Sequence, residues 1–210
     1  MVATQKASIL IPLGRDVGRL LSEALFRAEA MGLINAAAGD PVGLRDPLST
    51  LRNLALQIRR AGIAGAAAAA LNDDEPRTGE EVASLLRMMI SALEASPAPK
   101  FEWAGLARVL DAEQLASLLD VSVSSLNRYQ SGERDTPDAV AARLHFLALV
   151  IGDLAGSYNH LGIRRWFQRR RTPLEGRAPA DLLKGEWDPE DAGPARVREL
   201  ARDLVTLSAT

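Results

Sequence analysis

Cysteine is absent from the 210-residue chain, which excludes disulfide bonds, thiolate metal sites and a cysteine nucleophile. Aromatic residues make up only 4% of the sequence, and alternating runs of β-branched residues are almost missing. Residues 8–12 (SILIP) are the one short strand candidate. Alanine and leucine are instead plentiful, and both favour helices. The composition therefore predicts an all-α fold.

Histidine is equally scarce, since the chain has only His145 and His160. No acidic cluster accompanies them, so we predict no metal site, no cofactor and no catalytic centre. His145 falls inside an apolar helical pattern, as is usual for a core or interface histidine. No apolar run reaches the length of a membrane span and no signal-peptide pattern is present. We therefore expect a cytoplasmic protein that is not an enzyme.

The formal net charge is only −2, which argues against a protein that coats nucleic acid without specificity. A site-specific DNA-binding protein needs only a local basic surface, so that class stays open. The net charge therefore excludes neither a site-specific DNA-binding protein nor a protein that binds no DNA.

The stretch from Asp111 to Arg134 fits a helix-turn-helix motif. Asp111 is a suitable N-cap, and Gln114 three residues later can bond back to the cap amide, as in a capping box. Leucines at positions 115, 118 and 119 form the buried stripe of the first helix. Residues 120–122 form the turn, where the Ser122 hydroxyl caps the second helix.

The second helix turns Leu126 and Tyr129 inward and ends at Gly132, a suitable left-handed C-cap. Thr136 then caps another helix, with Pro137 at its first position. The side chains left facing outward are short and polar or can pair with base edges, as expected of a helix in the major groove. These predicted DNA-binding residues are Ser122, Ser124, Ser125, Asn127, Arg128, Gln130, Ser131 and Arg134. An ordinary helical hairpin with a solvated face is the alternative.

The first half of the chain, residues 1–98, is predicted to be a small helical domain without a chemical signature. Helical patterns begin at Arg15, after Pro47 and after Thr78, where Glu81 completes a capping box. The alanine run at residues 66–70 is compatible with a helix or with a glycine-broken loop. The stretch 96–99 (SPAP) is the expected domain boundary or hinge.

A long apolar helix is predicted from Pro137 to about Tyr158. Because it is apolar nearly all round, it is expected to be buried in the core or against a second subunit. Operators bound by helix-turn-helix proteins usually match a two-fold axis of the protein. We therefore expect a homodimer, with this helix as one candidate interface.

The C-terminal segment carries a family resemblance. Trp166 on a short helix precedes the run Thr172–Pro179 (TPLEGRAP), a Leu-Leu pair at 182–183 and a last helix over 194–207. This order resembles the toxin-binding C-terminal domain of the Xre/MbcA/ParS antitoxins. That family also carries an Xre-like helix-turn-helix directly upstream, joined by a long helix, as residues 103–158 do here.

The resemblance implies a type II antitoxin with an Xre-like helix-turn-helix domain (residues 101–158) and a small helical toxin-binding domain (residues 159–210). In many members the partner is a RES-domain toxin that consumes NAD, and the helix-turn-helix represses the shared operon. Cognate toxin and operator DNA are then the expected partners, in a homodimer or a larger toxin-antitoxin assembly. The expected toxin contacts are polar residues near the turn or the chain end: Arg169, Arg170, Arg171, Arg177, Lys184, Trp187 and Arg198.

The residues themselves leave alternatives open. The apolar side chains of this segment can simply form the core of a three-helix unit. The five arginines between Arg164 and Arg171 suit a solvated face, a partner's carboxylates or DNA phosphates. Residues 1–98 are the departure from the family, whose members are shorter. A stand-alone helix-turn-helix regulator with an N-terminal partner- or ligand-binding domain, and an adaptor that no longer binds DNA, are therefore alternatives.

Overall fold

The computed structural model describes residues 14–35, 47–73 and 77–208, and these are all-helical. The prediction of an all-α fold is confirmed for this part, while the strand candidate at residues 8–12 lies outside it. The elements are α1 (Arg15–Ala30), α2 (Pro47–Arg60), α3 (Gly65–Asn72), α4 (Gly79–Ala95), α5 (Pro99–Val109), α6 (Ala112–Leu119), α7 (Val123–Ser131), α8 (Asp138–Ala155), α9 (His160–Gln168), a 3-10 turn (Thr172–Leu174), α10 (Pro179–Leu182) and α11 (Ala192–Ser208).

The alanine run of the N-terminal half is helical. It forms α3, which packs on α2 and α4. Gly62 and Ala64 both have positive φ, so the chain turns sharply between α2 and α3. Small side chains allow α3 to lie close to its neighbours, and Ala67 and Ala68 are buried. The predicted capping box of α4 is confirmed, since Thr78 and Glu81 bond to each other's backbone amides.

Helix α8 is the centre of the fold. It contacts α1, α5, α9 and α11, and every residue from Leu144 to Leu154 is buried. Of the two expected explanations for its apolar surface, the core explanation is confirmed. The chain's own helices already cover these residues, so this part of α8 offers no free face for a dimer interface.

Two glycines allow α1 and α5 to cross with their backbones in contact. A Cβ placed on Gly105 would lie 2.2 Å from the Ala30 carbonyl oxygen. Gly32, with φ +73°, approaches the Phe101 carbonyl equally closely. No side chain fits at either position, so this crossing fixes α5, and with it the start of the helix-turn-helix, against the N-terminal half.

The hydrophobic core is continuous across residues 96–99. One cluster of buried side chains extends from Val17 in α1, through α5 and α8, to Ala201 in α11. The three predicted segments therefore pack on a shared core, in which α11 lies against α8 and its Arg198 and Arg202 bond to Glu94 of α4.

Among the described residues, no single helix has the length and apolar character needed to cross a membrane. Helix α8 and the segment from His160 to Leu174 are long and apolar enough when taken together, but the two are bent by 118° relative to each other.

Candidate nucleic-acid interface

Helices α6 and α7 form the predicted helix-turn-helix. The Asp111 carboxylate accepts the backbone N–H of Gln114 at 2.8 Å, and the Ser122 hydroxyl accepts that of Ser125 at 3.1 Å. Asp120 adopts the left-handed conformation at φ 54°, and Gly132 ends α7 in the same region at φ 73°. The turn geometry and both N-caps are therefore confirmed.

The inner faces of the motif pack as predicted. The three α6 leucines are buried, as are Leu126 and Tyr129 of α7. The Tyr129 ring stacks on Trp103 of α5, with ring centroids 5.9 Å apart. Trp103 Nε1 donates to the Thr136 hydroxyl at 3.0 Å. The prediction that Thr136 caps the next helix is wrong, because Pro137 is the N-cap of α8 and the Thr136 hydroxyl serves Trp103.

The opposite face of α7 carries the predicted DNA-binding side chains at its surface. Ser125 is half-buried and the other seven residues of the predicted set are exposed. Arg128 makes only long contacts within its own helix, to the Ser124 carbonyl at 3.4 Å and the Ser124 hydroxyl at 3.5 Å. Arg134 lies over the Tyr129 ring at 5.6 Å. The face is therefore polar, carries the exposed Arg128 and Arg134 and is uncovered by any described element.

Helix α9 is attached to the N-terminal end of α6. Gln114 Nε2 donates to the Arg164 carbonyl at 3.1 Å, so the predicted bond from its side chain to the cap amide is wrong. Arg164 Nε in turn donates to the Val109 carbonyl at 2.5 Å. Between the two helices lies an open groove, here called the α6–α9 groove. Its lining residues are Asp111, Gln114, Arg164, Arg165, Gln168 and Arg169.

Four of the predicted toxin contacts lie at the surface near the 3-10 turn and α10. Arg169 and Arg170 are exposed. Arg177 is 3.9 Å from Glu175, and Lys184 is 3.0 Å from Asp181. The hydrogen bond from Lys184, with a second from the Ala178 amide, lowers the Asp181 pKa. These four cations are available to a partner.

Arg171 is less available, since it is half-buried with its guanidinium 5.5 Å above the Trp166 ring. Trp187 is a core residue, contrary to the expectation of a surface contact. Its Nε1 donates to the Leu118 carbonyl at 2.9 Å, and its ring meets Phe146 edge-on. Arg143 binds the Trp187 carbonyl at 2.6 Å. Trp187 therefore joins the C-terminal segment to α6 and α8.

Arg198, also expected at a partner surface, belongs to an internal cluster of charges between α1, α4, α8 and α11. This ionic cluster consists of Glu23, Arg27, Glu94, Asp153, Arg198 and Arg202. Arg27, with 6% of its side chain exposed, is 3.0 Å from Glu94 and 3.2 Å from Asp153. Arg198 is 2.7 Å from Glu94. Arg198 is therefore committed to the fold in this structure.

The pKa values of the two central carboxyls of the ionic cluster are shifted in opposite directions. Burial raises the Asp153 pKa, and the neighbouring arginines offset this only in part. Burial would also raise the pKa of Glu94, but the charges of Arg27, Arg198 and Arg202 outweigh it and lower that pKa. Burial lowers the Arg198 pKa. Sequence reasoning missed this cluster, although an arginine in the apolar stripe of α1 and an aspartate inside α8 were signals for it.

His145 is a satisfied core histidine, as predicted. Its Nδ1 is 2.6 Å from the buried Glu102 carboxylate, and its Nε2 is 2.9 Å from the Glu94 carbonyl. In the described ranges, no three histidine or acidic side chains come together as a metal-binding group. The polar face of α7 and the α6–α9 groove are both surfaces whose chemistry suits a ligand.

Comparison with protein-family models, with curated proteins and with solved structures gives no match for this chain.

Proposed function

We propose that the protein is a DNA-binding antitoxin that binds an operator through α7 and a cognate toxin through its C-terminal surface. The observation that carries the DNA-binding half is the uncovered polar face of α7 on a correctly capped helix-turn-helix. Asn127 and Arg128 lie on that face, and such side chains pair with adenine and guanine edges in the major groove. A short helical hairpin that served only packing would not need this set.

The rigid support of α7 favours binding over a solvated face. Its buried residues are held by the Trp103–Tyr129 stack and by α6, and its N-terminus is fixed by the Ser122 cap. A helix held in this way needs no further ordering of its backbone on binding, which lowers the cost of association. Arg128 has no carboxylate partner among the described residues, so its guanidinium can engage a base without first breaking an ion pair.

The toxin-binding half depends on the Xre/MbcA/ParS resemblance and on the exposed cations Arg170, Arg177 and Lys184. Guanidinium groups suit a partner's carboxylates or a bound phosphate. Surface ion pairs such as Lys184–Asp181 contribute little to stability, so exchanging them for a partner costs little.

DNA binding is tested with duplexes selected by the wild-type chain from a random library. Arg128→Ala is expected to weaken binding of the selected duplex by about 1–3 kcal/mol, roughly 5- to 150-fold, and to relax the preference at one base position. Arg59→Ala, an exposed arginine on α2, is the matched control and should bind like wild type. Absence of any enriched sequence with the wild-type chain would contradict the DNA-binding half.

Toxin binding is tested by co-expression with the product of the adjacent gene, followed by pulldown and a growth assay. We expect a complex and rescued growth with the wild-type chain. Arg170→Glu combined with Arg177→Glu should lose both, and Arg59→Glu should keep both. No complex and no toxicity would favour the stand-alone regulator.

A further inference from the structure

The basic charge that DNA binding requires is not on the helix-turn-helix itself. Residues 111–134 carry four acidic and two basic residues, a formal net charge of −2. Residues 160–177, which span α9 and the 3-10 turn, carry six arginines and one glutamate, a formal net charge of +5. Affinity for duplex DNA comes largely from cations that neutralise phosphates. The α7 face alone therefore lacks the charge expected of a DNA-binding surface.

The fold places part of this missing charge beside the motif. The α6–α9 groove joins Arg164, Arg165 and Arg169 to the N-terminal end of α6. In a helix-turn-helix complex the first helix crosses the DNA backbone while the second enters the major groove. The groove therefore opens at the end of the motif where a phosphate strand is expected.

The side chains of the groove are suited to phosphate. Arg165 and Arg169 are exposed, and neither pairs with a carboxylate among the described residues. Arg165 lies in α9 and Arg169 is the C-cap residue of that helix, and both line the groove with Gln168 beside them. Asp111 is the one carboxylate of the lining, and its Oδ1 is occupied by the Gln114 amide. Glu113 adds a further negative charge at this end of α6, and three arginines outweigh the two carboxylates.

The groove is also held in position rather than formed by loose side chains. The Gln114 bond to the Arg164 carbonyl and the Arg164 bond to the Val109 carbonyl tie α9 to both α5 and α6. Ile163, Trp166 and Phe167 on the inner face of α9 are buried. Helix α9 is therefore fixed directly to the first helix of the helix-turn-helix.

We infer that Arg165 and Arg169 are phosphate contacts for duplex DNA and that α9 completes the DNA-binding surface begun by α7. This inference depends on the proposed DNA binding and adds the element that supplies its electrostatic part. It also assigns Arg169 to DNA binding, whereas the family resemblance implied a toxin contact for this residue. Because phosphate contacts position a protein without specifying sequence, their loss should weaken all duplexes equally.

The test compares salt dependence. Binding of the selected duplex and of a scrambled duplex of equal composition is measured between 50 and 200 mM NaCl. Removing two phosphate contacts, with Arg165→Ala and Arg169→Ala together, is expected to reduce the slope of log K against log salt by about 1.8. The wild-type chain should then lose roughly 12-fold more affinity than the variant over this range. Both duplexes should be affected by the same factor.

Two further variants complete the design. Arg165→Lys with Arg169→Lys should retain the wild-type slope, because phosphate accepts an ammonium as a point charge. Arg59→Ala with Arg60→Ala removes the same charge from the exposed end of α2 and should leave the slope unchanged. Equal melting temperatures establish that the variants remain folded.

The outcomes separate this inference from the proposed function. Sequence-specific binding with an unchanged slope in the alanine pair overturns the inference and leaves α7 as the DNA-binding element. An unchanged slope with lost capture of the adjacent gene product places the two arginines in a protein interface, which also overturns it. If the wild-type chain selects no sequence, the proposed DNA binding fails and the inference fails with it.

Discussion

Replacing Arg27 with methionine is the most direct perturbation of the ionic cluster. Arg27 is 6% exposed at its side chain and faces Asp153, which is 2% exposed, at 3.2 Å. Without Arg27, the nearest cations to Asp153 are the Nε atoms of Arg202 and Arg198, at 3.8 and 3.9 Å. Removing one partner of a buried ion pair typically costs about 3–5 kcal/mol, because the other charge stays buried with poorer compensation.

That loss is a large part of the roughly 5–15 kcal/mol by which a domain of this kind is stable. We therefore expect Arg27→Met to lower the free energy of unfolding by about 3–5 kcal/mol in urea at pH 7. Arg19→Met is the matched control, since Arg19 lies on the same helix, is 46% exposed and makes only surface ion pairs. Its loss should stay below about 1 kcal/mol.

A second substitution isolates the buried charge. Adding Asp153→Asn to Arg27→Met removes the uncompensated carboxylate, so the double variant should be more stable than Arg27→Met alone. The pH dependence has a defined sign. The Asp153 pKa is raised in the folded state, and it rises further when Arg27 is removed, so the folded state is favoured below the folded pKa and disfavoured above it. The deficit of Arg27→Met should therefore shrink as the pH falls from 7 toward 3.8, the ordinary pKa of an aspartate carboxyl, and a loss under about 1 kcal/mol at pH 7 would refute the reasoning.

Two further predictions concern the crossing of α1 and α5 and the dependence of the free energy of unfolding on acidic pH. Gly105→Ala should lower the free energy of unfolding in urea by more than about 2 kcal/mol, because its Cβ would meet the Ala30 carbonyl oxygen at 2.2 Å. Gly18→Ala is the control inside α1, where the added Cβ has open space, and it should raise the free energy of unfolding by about 0.5–1 kcal/mol. Equal effects of the two would contradict the close crossing. The Glu94 pKa is lowered on folding, so its contribution is present above the unfolded value of about 4.5 and is lost as pH falls through the folded pKa. Glu94→Gln should therefore destabilise the protein at pH 7 and destabilise it less as the pH falls below 4.5, and a constant difference across urea titrations on both sides of pH 4.5 would count against this.

The local rules of helix capping explain why the helix-turn-helix was predictable. The caps at Asp111 and Ser122 and the left-handed Gly132 each depend on residues within four positions, so the sequence alone determines them. The periodicity of leucines in α6 likewise fixes which face is buried. The Asp111 and Ser122 caps and the Gly132 C-cap formed as expected because each is made with backbone groups of its own helix.

The misassigned residues depend on contacts far along the chain. Trp187 is buried because it bonds to the Leu118 carbonyl, 69 residues away. The Gln114 side chain donates to the Arg164 carbonyl instead of to the cap amide, and the Thr136 hydroxyl accepts from Trp103 instead of capping α8. A polar group that finds a tertiary partner gives up the local one, and spacing along the sequence does not reveal that partner.

Charged residues inside otherwise apolar helical patterns indicate buried ion pairs. Arg27 interrupts the stripe formed by Ala24, Ala28 and Met31, and Asp153 is the lone carboxylate between Leu144 and Leu154. A charge is rarely buried unless it is paired. Together, the two positions predict a buried pair between α1 and α8, and hence the packing of the N-terminal half on the rest.

The position of α11 against α8 constrains the order in which the chain can fold during synthesis. Helix α8 leaves the ribosome before α11, and at about 5–20 residues per second its apolar face stays open for roughly 3–11 s, until α11 is complete. Until α11 arrives, the Arg27–Asp153 pair also lacks the Arg198 and Arg202 side chains. A nascent or truncated chain that stops before α11 therefore exposes both an apolar face and buried charge to proteases and chaperones.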